Sequence, residues 1–264
     1  MRKIVSVLSA AVLTLTLCAC SSGSSTSSIT VAGSTTCLPI AEIAAEGFKE
    51  ETGIDVLVSG LGSSAGIEAV SAGTADIASS SRGLNADEQD LGLTPIVIAH
   101  DGIAVIVNDD NPVDNLSTEQ LRDIYAGKIT NWKALGGADA PITVYTREDG
   151  SGTREVFVEK ALKKGPIVAS ANVVNSNGAM KTAIGQDKLG IGYVGIGHVD
   201  KSVAALTFDK MVPSQENAAS GAYTLTRLLY MNTKGAPSGL TKAFIDYIYS
   251  PEGSAIIEKS GYIP

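Results

Sequence analysis

From residue 29 onward, apolar positions recur with two periods that alternate along the chain. Residues 29–31, Ile-Thr-Val, form a β-branched run. Over 39–51, Ile40, Ile43, Ala44 and Phe48 fall on one face at helical spacing. Residues 54–59 alternate as a strand, 65–71 read as a helix, 75–78 as a strand and 85–91 as a polar helix. Two further β-branched runs follow at 96–99 and 103–108. The turn-rich Asn108-Asp109-Asp110-Asn111-Pro112 then breaks the pattern. Beyond it, Ser117 and Gln120 fit a capping box that opens a helix. A strand is predicted at 142–145, a helix at 153–162 and a glycine-framed strand at 190–195. The apolar stretch 224–231 is expected to return to the first sheet. Helices at 240–249 and 251–259 close the chain, the last with Ser250 as cap and Pro251 in its first turn.

Alternating strands and helices predict an α/β protein with a parallel or mixed sheet covered by helices. The breaks suggest two lobes, one from 29–108 plus 210–264 and one inserted over 109–209, with a cleft between them.

The first residues change the expected compartment. Met1-Arg2-Lys3 precedes an uncharged run over 4–17, shorter than the roughly 20 apolar residues a membrane-spanning helix needs. That is the layout of a secretory signal, 1–19. The run ends Leu17-Cys18-Ala19-Cys20, which resembles the bacterial lipoprotein cleavage box. The resemblance implies acylation of Cys20 and an extracytoplasmic, membrane-anchored body. Residues 20–28 then read as the lipidated cysteine and a serine-rich tether. With Cys20 acylated, Cys37 has no partner in the chain, so the core must provide the stability.

The charge of −8 becomes −10 once Arg2 and Lys3 are lost with the leader. No basic run is present, which argues against nucleic acid. An anionic ligand would have to be held by short-range donors rather than by bulk attraction. Two distant histidines and no paired-cysteine motif give no metal site, and Asp109-Asp110-Asn111 lacks the Gly and Glu of a calcium loop. No cofactor is expected.

Three segments share one design, Gly with Ser or Thr just before a helix. They are Gly33-Ser34-Thr35-Thr36, Gly62-Ser63-Ser64-Ala65-Gly66 and Arg147-Glu148-Asp149-Gly150-Ser151-Gly152-Thr153. A helix start presents unpaired N–H groups and a partial positive charge. Glycine admits a ligand to that backbone, hydroxyls add donors, and Arg147 adds a planar charged fork. Any one such turn is more often a plain cap. Three that meet in a cleft could surround a tetrahedral anion.

Ala32-Gly33-Ser34-Thr35-Thr36, Gly60-Leu61-Gly62-Ser63-Ser64 and Asp149-Gly150-Ser151-Gly152-Thr153 resemble the phosphate-contacting segments of the binding proteins of ABC-type phosphate importers. The likeness runs from about Ile29 to the closing Ser260-Gly261-Tyr262-Ile263-Pro264. It implies the two-lobed type II periplasmic-binding fold, a monomer that closes over one phosphate and delivers it to the membrane subunits of the importer. The implied contacts are Ser34, Thr35, Thr36, Ser63, Ser64, Ser81, Arg147, Asp149, Ser151, Gly152 and Thr153. One departure stands out. Well-known members carry an Asp where Ser81 lies, and that Asp accepts the phosphate proton. Asp149, the nearest carboxylate by motif, is the candidate replacement, and Arg82 is expected to pair with a surface acid.

Two rival readings remain. Gly62-Ser63-Ser64-Ala65-Gly66 matches a Gly-x-Ser-x-Gly nucleophile elbow, with Ser64 as nucleophile and His198 or His100 as base. His198 is expected on a surface turn, and no oxyanion segment accompanies the motif. The other is a binding protein for a different tetrahedral oxyanion, such as sulfate or molybdate.

Overall fold

The computed structural model describes residues 28–264. The expected leader, Cys20 and the serine-rich stretch as far as residue 27 lie outside the described residues. Ser28, expected as the last tether residue, opens the first strand.

In chain order the first elements are β1 (Ser28–Gly33), α1 (Leu38–Thr52), β2 (Asp55–Gly60), α2 (Ser63–Ser71), β3 (Ile77–Ser80) and β4 (Leu93–Val107). Next come β5 (Asn115–Leu116), α3 (Thr118–Tyr125), β6 (Thr143–Arg147), α4 (Gly152–Val156), β7 (Asn172–Val174), α5 (Asn177–Gln186) and β8 (Gly190–Gly195). Two short strands, β9 (Ala204–Ala205) and β10 (Thr207–Phe208), and α6 (Gln215–Ala219) lead to β11 (Thr226–Lys234), α7 (Gly239–Ile248) and α8 (Pro251–Lys259).

Local chemistry explains the helices that were legible. Pro39 lies in the first turn of α1, and Gly53 closes it with a left-handed backbone. Ile40, Ala41, Ala44, Ala45 and Phe48 form its buried face. Both hydrogen bonds of the Ser117–Gln120 capping box are made at α3, and the Ser250 hydroxyl accepts from the Gly253 N–H at α8. The helix expected over 153–162 is α4 followed by a wider turn, in which the Leu162 N–H reaches back five residues to the Phe157 carbonyl.

The sheet order is β2-β1-β3-β11-β4-β8-β6-β7. β1 runs parallel to β2 and β3, and β11 runs antiparallel to β3 and β4. The two runs expected at 96–99 and 103–108 are one strand, β4. Its first half pairs with β11 as far as Gly102↔Thr226, and its second half pairs with β8 from Ile103↔Gly195. The chain therefore crosses between lobes at Gly102/Ile103 and returns at Leu225/Thr226. The sequence pattern places these boundaries instead near 108/109 and 209/210. The turn at 109–112 follows the end of β4, and β5 beyond it pairs with β10 in a separate two-stranded sheet.

Core membership follows the same division. Val31, Ile40, Phe48, Ile77, Leu229, Met231 and Phe244 share one apolar cluster. Ile103, Leu121, Tyr125, Trp132, Phe157, Tyr193, Tyr223 and Leu225 share another. Trp132 and Tyr193, far apart in sequence, are both core residues. The result is the two-lobed α/β type II fold. Among the described residues no helix is long and apolar enough to cross a membrane.

Candidate anion-binding site

The three strand-to-helix turns meet at the seam between the lobes. Glycine is required at 152 for steric reasons. A Cβ there would lie 2.4 Å from Ser63 Oγ and 2.8 Å from Ser81 Oγ. The start of α4 thus presses directly on the start of α2 and on the loop after β3. Thr36 Oγ1 and Thr153 Oγ1 are 3.1 Å apart across the same seam, and the Ser64 N–H donates to the Gly150 carbonyl at 3.1 Å. Ser34, Thr35, Thr36, Ser63, Ser81, Arg147, Ser151 and Thr153 are all buried, so this polar cluster is shielded from water.

The cluster divides by what each group already holds. Ser34 shapes its own turn: its N–H donates to the Ser79 carbonyl, and its hydroxyl accepts from the Thr36 N–H at 3.2 Å. Ser151 Oγ caps α4 by accepting from the Arg154 N–H. Ser63 Oγ accepts from the Ser81 N–H at 3.2 Å. Ser64 is half-buried and committed, its N–H to Gly150 and its hydroxyl to Arg82 Nη2 at 2.8 Å. It bridges the lobes instead of facing the cluster. Among the described residues, the buried polar atoms without a protein partner include Ser81 Oγ and Arg147 Nη1 and, close by, Asp101 Oδ1 and His198 Nε2. Orphaned buried groups of this kind are uncommon and point to a ligand.

Arg147 is held from two sides. Its Nε and Nη2 each bond a Glu148 carboxylate oxygen at 2.8 Å, and its backbone N–H donates to the Tyr193 hydroxyl at 3.1 Å. Burial pushes that hydroxyl up to about 12, so it stays protonated. The Tyr193 ring stacks on Phe157 with centroids 3.8 Å apart. The packed core of the second lobe thereby fixes the cation.

Three residues that sequence reasoning missed complete the cluster. Arg227, from β11, donates through Nε and Nη2 to Asp101 Oδ2 at 2.9 and 2.7 Å. The same side chain reaches Thr153 Oγ1 from Nη1 at 2.7 Å and Thr36 Oγ1 from Nη2 at 3.1 Å. Burial raises the Asp101 carboxyl above the ordinary carboxylate range, against the opposing pull of Arg227. Asn177, the first residue of α5, donates from Nδ2 to Thr35 Oγ1 and Thr36 Oγ1, both at 3.0 Å. Its Oδ1 accepts from the Gly195 N–H, which fixes the amide orientation. Asn175-Ser176-Asn177-Gly178 is thus a fourth polar strand-to-helix turn, between β7 and α5.

Three expectations are corrected. Asp149 is not in the cluster: its side chain is 93% exposed and pairs with Arg154 at the surface, because the turn points it outward. Arg82 does pair with acids, but it is itself buried. It binds Glu88 at 2.6 Å and, across the seam, Glu155 at 2.7 Å. Burial opposes its charge, yet these two partners outweigh burial and hold its pKa above the usual value. His198 is half-buried rather than on a surface turn. Burial, then Arg227 and Lys181, lower it to about 4, against a raising contact with the Thr35 backbone. A groove of about 470 Å³ along the seam is lined in part by Arg82, Asp101, Glu155 and Arg227.

Fold and seam together define a substrate-binding protein of the two-lobed kind, and a PBP superfamily domain matches residues 21–252. The chain is 36% identical to the phosphate-binding protein PstS of Bacillus subtilis (strain 168), over 91% of this chain and 81% of that relative. It is 30% identical to PstS of Borreliella burgdorferi, over 89% of each. Among solved structures it resembles one described as a phosphate ABC transporter substrate-binding protein with bound phosphate from Clostridium perfringens. That likeness has a TM-score of 0.86 and 38% identity, covering 90% of this chain and 99% of that one. An ABC-type phosphate transport receptor from Vibrio cholerae matches with a TM-score of 0.75 and 40% identity, over 89% and 99%. The chain belongs to the PstS family of phosphate-binding proteins.

Proposed function

We infer that this protein captures inorganic phosphate outside the cytoplasm and delivers it to an ABC-type importer. The observation that carries this reading is the buried seam itself. Thr35, Ser63, Ser81, Arg147 and Thr153 meet there from four turns, and Arg147 Nη1 and Ser81 Oγ are unpartnered. Phosphate retains a proton near neutral pH, by analogy with a phosphoserine group. It therefore suits a site that is rich in donors and keeps one hydroxyl free to accept.

Binding without turnover fits the same geometry. The Ser64 hydroxyl accepts from Arg82, a side chain that stays protonated and cannot act as a base. His198 Nε2 has no protein partner, and it is Arg82 that holds the Ser64 hydroxyl. Calorimetric titration of the purified body with phosphate, sulfate and a neutral sugar tests the function. Phosphate alone should bind tightly, and tighter binding of sulfate would replace phosphate with another oxyanion. Ser81 in place of an acid is the feature that favours this second reading.

Acylation of Cys20 would keep the body at the membrane surface. Cys20→Ala should move the protein out of the membrane fraction and leave phosphate affinity unchanged. Retention of that variant in the membrane would mean that another segment anchors the chain.

A further inference from the structure

The three threonine hydroxyls at the seam do not have free rotors; their proton directions follow from the partners around them. Asn177 Nδ2 has two hydrogens and no lone pair to offer. One hydrogen goes to Thr35 Oγ1 and the other to Thr36 Oγ1. Thr35 Oγ1 also accepts from the Asn177 backbone N–H at 3.3 Å. Both its lone pairs are used, and its proton has no protein acceptor. Thr36 Oγ1 accepts from Asn177 and from Arg227 Nη2, so its proton can go only to Thr153 Oγ1. Thr153 Oγ1 then accepts from Thr36 and from Arg227 Nη1, and its own proton also has no protein acceptor. Asp101 holds Arg227 and balances its charge, so the guanidinium directs protons without adding net charge.

We propose that Arg227 and Asn177 are positioning residues that turn the Thr35 and Thr153 hydroxyl protons toward the bound anion, leaving Ser81 Oγ as the one uncommitted hydroxyl able to take the anion's own proton. The proposal rests on the phosphate reading above and deepens it. Two donor groups that need not touch the ligand, the Arg227 guanidinium and the Asn177 amide nitrogen, decide which hydroxyls donate to it. Selectivity for a protonated tetrahedral anion over a fully deprotonated one then lies at Ser81.

Reversing the donor at 177 tests the direction. In Asn177→Asp, an ionised carboxylate accepts where the amide donated, so the Thr35 proton turns away from the anion and the Thr36 proton away from Thr153. Asn177→Ala only frees them to rotate. Calorimetric titration with phosphate and with sulfate, from pH 5 to pH 8, is compared with thermal melting of the ligand-free proteins. A hydrogen bond to a charged group corresponds to about tenfold in affinity or more. Asn177→Asp should therefore weaken phosphate binding by about a hundredfold at pH 8, more than Asn177→Ala does. That loss should shrink toward pH 5 as the new carboxyl takes up a proton and can donate again. Ser81→Ala should narrow the gap between phosphate and sulfate. Losses that follow the melting temperatures, with Ala as weak as Asp and no pH dependence, would mean that Asn177 only braces the fold, and the proposal would fail. Undiminished phosphate binding by Asn177→Asp would also overturn it, whereas failure of the unaltered protein to bind phosphate would remove the functional reading beneath it.

Discussion

Arg147 and Arg227 belong to one buried cluster, each paired with a carboxylate, yet they are built for different tasks. Arg147 spends Nε and Nη2 on Glu148 and keeps Nη1 without a partner. Arg227 spends Nε and Nη2 on Asp101 and its remaining reach on Thr36 and Thr153. The first is a contact held ready for an anion; the second is part of the frame. Arg82 belongs with the frame, bound to Glu88, Glu155 and Ser64. Burial and charge do not separate these roles, since all three arginines are buried. The number of uncommitted donors does.

The two carboxylate partners should differ most. Asp101 is fully buried, whereas the Glu148 side chain is 26% exposed. Removing one member of a buried pair leaves the other charge unpaired and costs about 3–5 kcal/mol. Asp101→Ala should therefore lose about that much stability in urea unfolding. Glu148→Ala should lose much less, because water can reach Arg147 from the exposed side. Equal losses would break the distinction between contact and frame.

His198 lies within the influence of both cations and reports on that shared environment. Its pKa of about 4 in the folded protein is below the unfolded value of 6.5. At intermediate pH the unfolded chain binds the extra proton, so this group's contribution is full above pH 6.5 and is lost as pH falls toward 4. A shift of that size amounts to at most about 3 kcal/mol. Urea unfolding at pH 7 and pH 4.5 should show the loss in the natural chain and a flatter profile in His198→Gln. Superimposable profiles would assign the acid sensitivity to other groups.

A smaller effect on stability, but a larger one on binding, is expected at Arg147. A charged hydrogen bond contributes about 1.5–3 kcal/mol against roughly 0.5–1.5 for a neutral one. Arg147→Ala should weaken phosphate more than Thr35→Ala or Ser63→Ala does. If Thr35→Ala proves worse, the contact role belongs to the hydroxyls.

Much of this was legible before any coordinates. The βα alternation, the capping boxes at Ser117 and Ser250 and the three glycine-bearing turns rest on local chemistry, which a sequence carries openly. The frame did not show, because its members are local anomalies with distant causes. Arg227 is a lone charge in the apolar run 224–231, and Asp101 precedes Gly102 between two β-branched runs. Each looks like a defect in a strand until Thr226 pairs with Gly102 and brings the two side chains together. Asn177 sits in a turn of the same polar type as the other three, but β7 is three residues long and its strand signal is weak. Asp149 misled for the opposite reason. Its place in the motif is right, but the turn that places Ser151 inward sends Asp149 to solvent.

The smallest effects separate a cap that is only a cap from one at the seam. Ser250 Oγ accepts from the Gly253 N–H at the start of α8, and Ser151 Oγ accepts from the Arg154 N–H at the start of α4. The two bonds are alike, and losing either should cost about 1 kcal/mol of stability. They differ in what surrounds them. Ser151 is buried beside Gly152 and Thr153, where the helix start meets Ser63 and Ser81. Ser250 starts a helix whose buried residues, Gly253 and Ile257, face the first lobe. Ser250→Ala should lower stability and leave phosphate affinity alone, while Ser151→Ala should lower both. Unfolding in urea and calorimetric titration on the same two proteins decide the matter. If both variants keep full affinity, the Ser151 hydroxyl only caps α4, and the second lobe holds the anion through Arg147 and Thr153 alone.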